Sequence, residues 1–168
     1  MTKAPSESRR ASNTILRSWG MSITGDVLSI GSSSDADGEG RQYRSYFPRA
    51  TRYRTSEPEP YEGCDLVLDV RHMVAIPTAS VDAIFCSGVL EHVDDVRAAV
   101  GECRRVLTPG GSFLVGVPFD QPVHRAPQDF WRFTEFGVRY LLKAFTIREL
   151  RTIGDPRHPS AYWAWAVK

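Results

Sequence analysis

Residues 81–119 read VDAIFCSGVLEHVDDVRAAVGECRRVLTPGGSFLVGVPF, and two periodicities meet in them. Val81–Cys86 is an apolar run the length of one strand, and Ser112–Pro118 (SFLVGVP) is another, the most hydrophobic in the chain. Such short continuous runs are the signature of strands buried on both faces. Between them Val96, Ala99, Val100, Cys103, Val106 and Leu107 fall at i, i+3, i+4, i+7, i+10 and i+11, an apolar stripe that predicts a helix over Asp95–Leu107. Asp94 or Asp95 can cap its start, and Pro109-Gly110-Gly111 stops it.

The pattern continues in both directions. Upstream, Asp26–Ile30 (DVLSI), Thr51–Glu57 (TRYRTSE) and Asp65–Asp69 (DLVLD) read as strands one to three, ahead of Val81–Cys86 as strand four. Downstream, a helix is expected over Thr134–Ala144 with Phe136, Val138, Leu141 and Leu142 inward, then strands over Phe145–Ile153 and Tyr162–Val167. Gly40–Phe47 reads as a shorter helix, and Ile15, Leu16 and Trp19 as the apolar side of another before Gly20. Strands alternating with helices predict an α/β fold with a mostly parallel sheet. Only seven residues separate Glu57 from Asp65. A parallel crossover usually takes a dozen or more. Seven extended residues still reach about 23 Å, and a five-residue strand is about 17 Å long. The helix after strand two is therefore expected to be missing.

A length of 168 residues suits one domain, here residues 14–168, with the polar Ser- and Arg-rich residues 1–13 expected to be a disordered tail. The formal net charge is +1, and the basic residues Arg9-Arg10 and Arg104-Arg105 come only in pairs, so neither a nucleic-acid nor a membrane partner is expected. Cys64, Cys86 and Cys103 are odd in number and form no CxxC pair, which predicts no disulfide framework and no metal site and suits a reducing compartment. The first residues, MTKAPSESRRASNT, have no apolar core of a secretory signal, and the protein is expected to be cytoplasmic.

In an open parallel sheet, ligands bind outside the carboxyl ends of the strands. Those ends carry Gly31-Ser32-Ser33 after strand one, Glu57 after strand two, Asp69-Val70 after strand three and Ser87-Gly88 after strand four. A carboxylate after strand two can accept both hydroxyls of a ribose, and one after strand three an exocyclic amine of a base. The small residues leave room for a nucleoside and its tail. The alternatives are bland: Glu57 as a solvated turn before Pro58, Asp69 as a helix cap or partner of Arg71. The first loop also lacks the dinucleotide fingerprint, with Ser33 and Ala36 where GxGxxG places glycine, which argues against NAD.

At this point the chain resembles a known family. Val81–Phe119, read as strand, V-L-E-H, helix, R-V-L-x-P-G-G, strand, is similar to the second half of the class I S-adenosylmethionine-dependent methyltransferase core. PVHRAPQDFWRFT, Pro122–Thr134, is similar to the H-x-x-P-x-D-[YF]-W-R-[FY]-T segment of a bacterial subgroup of these enzymes. The resemblance implies a Rossmann-like sheet of seven strands with the last antiparallel. It implies S-adenosyl-L-methionine as cofactor, with Gly31, Ser32 and Ser33 along its methionine part, Glu57 on the ribose, Asp69 and Val70 beside the adenine, and Ser87, Gly88 and Leu90 lining the site after strand four. Glu91-His92 matches the family's acid–histidine pair, read here as mainly structural. The loop departs from the family's G-x-G-x-G, since it reads Gly31-Ser32-Ser33-Ser34-Asp35, and serine adopts positive φ only at a cost. Serine hydroxyls are expected to replace some backbone contacts. Only about 25 residues precede strand one, where many relatives carry a helical lid.

The activity this implies is in-line transfer of a methyl group to a small-molecule acceptor such as a sugar, lipid or secondary metabolite. His124, after strand five, is the candidate base. Asp129, Trp131 and Arg132 are candidates for holding the acceptor, with Phe130 and Trp131 as an apolar wall. The competing reading makes His124, Asp129, Trp131 and Arg132 a hydrogen-bonded corner. A second function class is a methyltransferase-like protein that has a degenerate cofactor loop and serves as a non-methylating enzyme or interaction partner. A third is a nicotinamide-dependent oxidoreductase. Trp163 and Trp165 alternate on the last strand, and without a lid a second copy of the chain, as a homodimer, is expected to cover their face.

Overall fold

The computed structural model describes residues 6–32 and 34–168; the expectation for Ser33 lies outside them. Seven strands form one sheet: β1 Gly25–Ile30, β2 Ala50–Glu57, β3 Leu66–Val67, β4 Val81–Ser87, β5 Leu107–Pro118, β6 Thr146–Asp155 and β7 His158–Val167. Their order is β3-β2-β1-β4-β5-β7-β6. β1 to β5 pair parallel, and β7 runs antiparallel to both neighbours. This is the sheet expected from the sequence, including its antiparallel last strand.

The crossovers are uneven. Among the described residues no helix joins β2 to β3, as the short connection predicts. Among the described residues, the loop from β1 to β2 carries a 3-10 turn over Tyr43–Tyr46, in place of the longer helix expected over Gly40–Phe47. α2 (Val96–Val106) joins β4 to β5, capped by the Asp95 carboxylate, which accepts the Ala98 N–H at 2.9 Å. Its stripe of Ala99, Val100, Cys103 and Val106 is fully buried. α3 (Glu135–Leu141) starts at Thr134, whose hydroxyl accepts the Gly137 N–H. Val138 and Leu142 point inward from it, but Phe136, expected inward, is 79% exposed. Phe136 shares its side of the helix with Tyr140, four residues on, and that side faces water.

β3 shrinks to two residues because the acids at the ends of the expected strand are used otherwise. Asp65 accepts from Thr55 N and Oγ1, and Asp69 from the backbone and side chain of Arg71.

Of the segment expected to be a loose tail, the described residues 6–13 are helical from Glu7 on. α1 spans Glu7–Gly20, with the Ser6 hydroxyl accepting the Arg9 N–H at its start. Its buried side is Asn13, Leu16, Trp19 and Gly20. Asn13 is held by polar bonds, donating to Asp37 O (3.1 Å) and the Glu39 carboxylate (2.8 Å). Half of this inward face is therefore not hydrophobic, and apolar patterning underestimates it. Trp19 packs edge-on against Trp163 and tilted against Trp165, with ring centroids 6.3 and 5.9 Å away. Trp163 and Trp165 are left 3% and 9% exposed. The face assigned to a second copy is covered by the protein's own helix, and the motive for a homodimer goes with it.

Two cores result, one per face of the sheet. α2 and α3 pack with Leu28, Ile84, Phe113 and Val115 on one face. α1 and the Tyr43–Tyr46 turn pack with Val27, Phe85, Leu114 and the tryptophans on the other. No helix among the described residues is long and apolar enough to cross a membrane.

Candidate functional site

The carboxyl ends of the parallel strands open into two adjoining chambers. The first, of about 580 Å³, lies between Glu57, Asp69, Val70 and Gly88. The second, of about 660 Å³, lies between Gly31, Ser87, His124 and the first turns of α1. Gly31, Gly88, His92 and Arg125 border both. Volumes of this order are those of small-ligand sites.

Gly31 sets the passage between them. It has φ +66°, and a β-carbon there would lie 2.3 Å from Val89 Cγ2. Its N–H and that of Ser32 donate to Ser56 O at 2.9 and 3.3 Å, which ties the loop to β2. Ser32 lines the second chamber, and its hydroxyl donates to Ser29 at 2.8 Å and accepts the Ser56 N–H at 3.4 Å. It stitches β1 to β2 at the loop's start.

The second left-handed position of the loop falls on Asp35, φ 56°, one of the few non-glycine types that tolerate it. The buried Asp35 carboxylate accepts from Arg44 N and Nε and the Tyr53 hydroxyl. The fully buried Asp37 accepts from the N–H groups of Glu39 (2.7 Å) and Arg41 (2.9 Å) and from the Tyr46 hydroxyl (2.6 Å). Two aspartates thus fold the loop back on itself where a helix would otherwise continue.

In the first chamber Glu57 is half-buried at the end of β2. Asp69 is gripped by the Arg71 guanidinium, with Nη2 at 2.6 Å, and Arg71 also reaches Asp94 at 2.6 Å. That guanidinium holds both carboxyls below the usual range. Leu68 and Val70 supply buried apolar wall, and Phe130 lines the opening. Leu90, expected to line the site, is 1% exposed and belongs to the core beneath it. Ser87 and Gly88 lie where the strand-end rule puts them, in the second chamber and in both chambers respectively.

The loop after β5 divides the remaining candidates. His124 lines the second chamber, while Asp129, Trp131 and Arg132 line neither. Asp129 accepts from His124 N and, twice, from Arg132, whose guanidinium holds its carboxyl well below the usual range. Arg132 also donates to Gln121 O and Pro122 O. The Trp131 indole N–H donates to Val93 O at 2.8 Å. Their donors and acceptors are spent on the frame of the loop, the corner that was the competing reading.

Glu91 and His92 do more than brace a loop. The Glu91 carbonyl accepts the N–H groups of Phe130 and Trp131. Its carboxylate is buried, Oε2 has no hydrogen-bond partner, and burial pushes the carboxyl up. His92 Nδ1 lies 2.6 Å from Gln128 O, and His124 Nδ1 lies 3.0 Å from Pro122 O. A carbonyl only accepts, so each Nδ1 carries a proton, and in the neutral ring the acceptor is Nε2.

Sequence reasoning missed Ser8, Arg9 and Ser12 of α1, which line the second chamber; Arg9 donates to the Tyr43 hydroxyl. The signal was there, since Ser6 followed by Glu7 is a helix-start pattern.

A family model described as a methyltransferase domain matches residues 47–115. A probable S-adenosylmethionine-dependent methyltransferase of Mycolicibacterium smegmatis is 46% identical over 55 residues, 30% of this chain and 21% of that protein. A ubiquinone biosynthesis O-methyltransferase of Xanthomonas oryzae pv. oryzae is 36% identical over 77 residues, 46% of this chain and 30% of that protein. The chain thus spans between a fifth and a third of the length of these curated relatives. Among solved structures, the N-methyltransferase NodS of Bradyrhizobium japonicum, in complex with S-adenosylhomocysteine, superposes with a TM-score of 0.71 over 96% of this chain and 88% of that one at 20% identity. At that identity the likeness is one of fold, and the fold is the Rossmann-like one of class I methyltransferases.

Proposed function

We propose that the protein transfers a methyl group from S-adenosylmethionine to a small-molecule acceptor. The observation that carries this is the pair of chambers meeting at Gly31 and Gly88, one edged by Glu57 and Asp69 and the other by His92 and His124, each with Nδ1 on a backbone carbonyl. The groups present fit the cofactor. In this reading Glu57 accepts from the ribose hydroxyls, Leu68 and Val70 flank the base, and Asp69 accepts from its exocyclic amine. The absent β-carbon of Gly31 lets Val89 pack against the first loop where the two chambers meet. The likeness to methyltransferases over 47–115 supports the same reading.

The cofactor supplies a sulfonium methyl, whose displacement returns the S–C electron pair to sulfur. The protein holds the acceptor in line at about 3–3.5 Å. In the second chamber His124 Nε2 takes the acceptor's proton as the new bond forms, with Nδ1–H held on Pro122 O. Arg9 and Arg125 favour an acceptor that carries negative charge.

Calorimetric titration with S-adenosylhomocysteine tests this. Micromolar binding by the natural chain, lost in Glu57→Ala with the fold intact, is the expected result. An inert natural chain would overturn it and leave the tied-back loop of Asp35 and Asp37 as the mark of a protein that does not hold the cofactor.

A further inference from the structure

Glu91, His92 and His124 form a cluster that proton transfer alone does not explain. Their ligating atoms, one from each residue, lie within 4.8 Å of one another, and all three residues border the second chamber. His92 Nε2 is 4.0 Å from Glu91 Oε1. Glu91 is 3% exposed, and its other oxygen has no partner. A buried polar atom left unpaired costs free energy unless something satisfies it. The two histidines each have Nδ1 on a backbone carbonyl, the arrangement that orients metal-ligating histidines.

We infer that Glu91, His92 and His124 bind a divalent transition-metal cation at the floor of the second chamber. Two imidazoles and one carboxylate suit zinc, manganese, iron(II) or cobalt better than magnesium, which prefers an all-oxygen shell. Metal–ligand bonds of roughly 2.0–2.2 Å bring the three atoms closer than they stand here, a movement that side-chain rotation supplies. Three protein ligands leave positions open, and these face the chamber, so the ligand class on the far side is an oxygen- or nitrogen-bearing small molecule. This runs against the expectation of no metal site, which weighed only the cysteines. It bears on the proposed activity through His124, because holding a cation and accepting a proton are exclusive uses of one Nε2. The binding itself does not require that activity.

The test is titration of the full chain with cobalt(II) chloride, followed by visible absorption, and with zinc chloride by calorimetry. One equivalent is expected to bind, with absorption bands of nitrogen and oxygen ligation. Glu91→Gln and His124→Asn are each expected to weaken binding at least tenfold while circular dichroism stays unchanged. Glu57→Ala, which is expected to lose S-adenosylhomocysteine, keeps the cation, so failure of the cofactor reading and failure of this one are told apart. Cys64→Ser is also expected to keep it. No binding by the natural chain, binding indifferent to both Glu91→Gln and His124→Asn, or binding lost in Cys64→Ser would each overturn the inference.

Discussion

The side chain of Val89 fills the space that a β-carbon on Gly31 would need, with Cγ2 2.3 Å from that position. The first loop and the segment after β4 are thereby locked at the point where the two chambers meet. Gly31→Ala is expected to cost on the order of 1–3 kcal/mol through overpacking and positive φ, and to abolish S-adenosylhomocysteine binding. Val89→Ala removes the atom that collides, so the double variant is expected to regain part of the stability. Urea unfolding of the two single variants and the double measures this as a coupling energy; strict additivity would sink the account.

What was legible in the sequence follows from which forces leave a periodic trace. α2 and its flanking strands were readable because burial alone selects Ala99, Val100, Cys103 and Val106, and a cap and a glycine stop mark the ends. The position of the first chamber followed, since the strand-end rule needs only the ends of β2 and β3. The second half of α1 was readable from Ile15, Leu16 and Trp19, but its first half was taken for a tail because its inward face there spends Asn13 on hydrogen bonds. The roles of Ser32, Asp129, Trp131 and Arg132 depend on which way a side chain turns, and spacing carries no record of that. Asp35 and Asp37 leave no apolar trace in DADGEG, although both are buried. The metal-ligand cluster joins Glu91-His92 to a residue more than thirty positions on, and only the fold brings them together.

Trp19 roofs the sheet over Trp163 and Trp165 and donates its indole N–H to Glu149 at 3.0 Å. Trp19→Ala is expected to destabilise the protein by about 3–5 kcal/mol and to expose the other two rings. A red shift in tryptophan emission under native conditions and a lower urea midpoint report this. An unchanged midpoint would mean that α1 does not hold the sheet, and a second copy would again be needed to cover it.

Asp37 makes stability depend on acid. Burial raises its pKa, but the hydrogen bonds from Tyr46, Arg41 and Glu39 outweigh burial and hold the carboxyl below the usual range. A carboxyl depressed in the folded state contributes stability that is full above its unfolded value, about 3.9, and is lost as pH falls through the folded value. Asp37→Asn, which faces two N–H donors with an oxygen that carries no charge or with an NH₂, is expected to cost about 1–3 kcal/mol at pH 7. It should also flatten the loss of stability below pH 4. Thermal unfolding of both proteins across pH 2–7 checks this, and parallel acid limbs would contradict it.

Arg71 separates binding from stability. It joins Asp69 to Asp94 across the rim of the first chamber, with all three side chains substantially exposed. Exposed ion pairs contribute only about 0–1 kcal/mol to folding. Arg71→Ala is therefore expected to leave the unfolding midpoint almost unchanged. The guanidinium fork nonetheless orients the carboxylate proposed to meet the base. Its removal is expected to weaken S-adenosylhomocysteine binding several-fold, with a loss comparable to that of Asp69→Ala. The double variant should be little worse than either single one, because both act through the same carboxylate. Additive losses in calorimetry would show that Arg71 meets the ligand itself and that Asp69 does not depend on it.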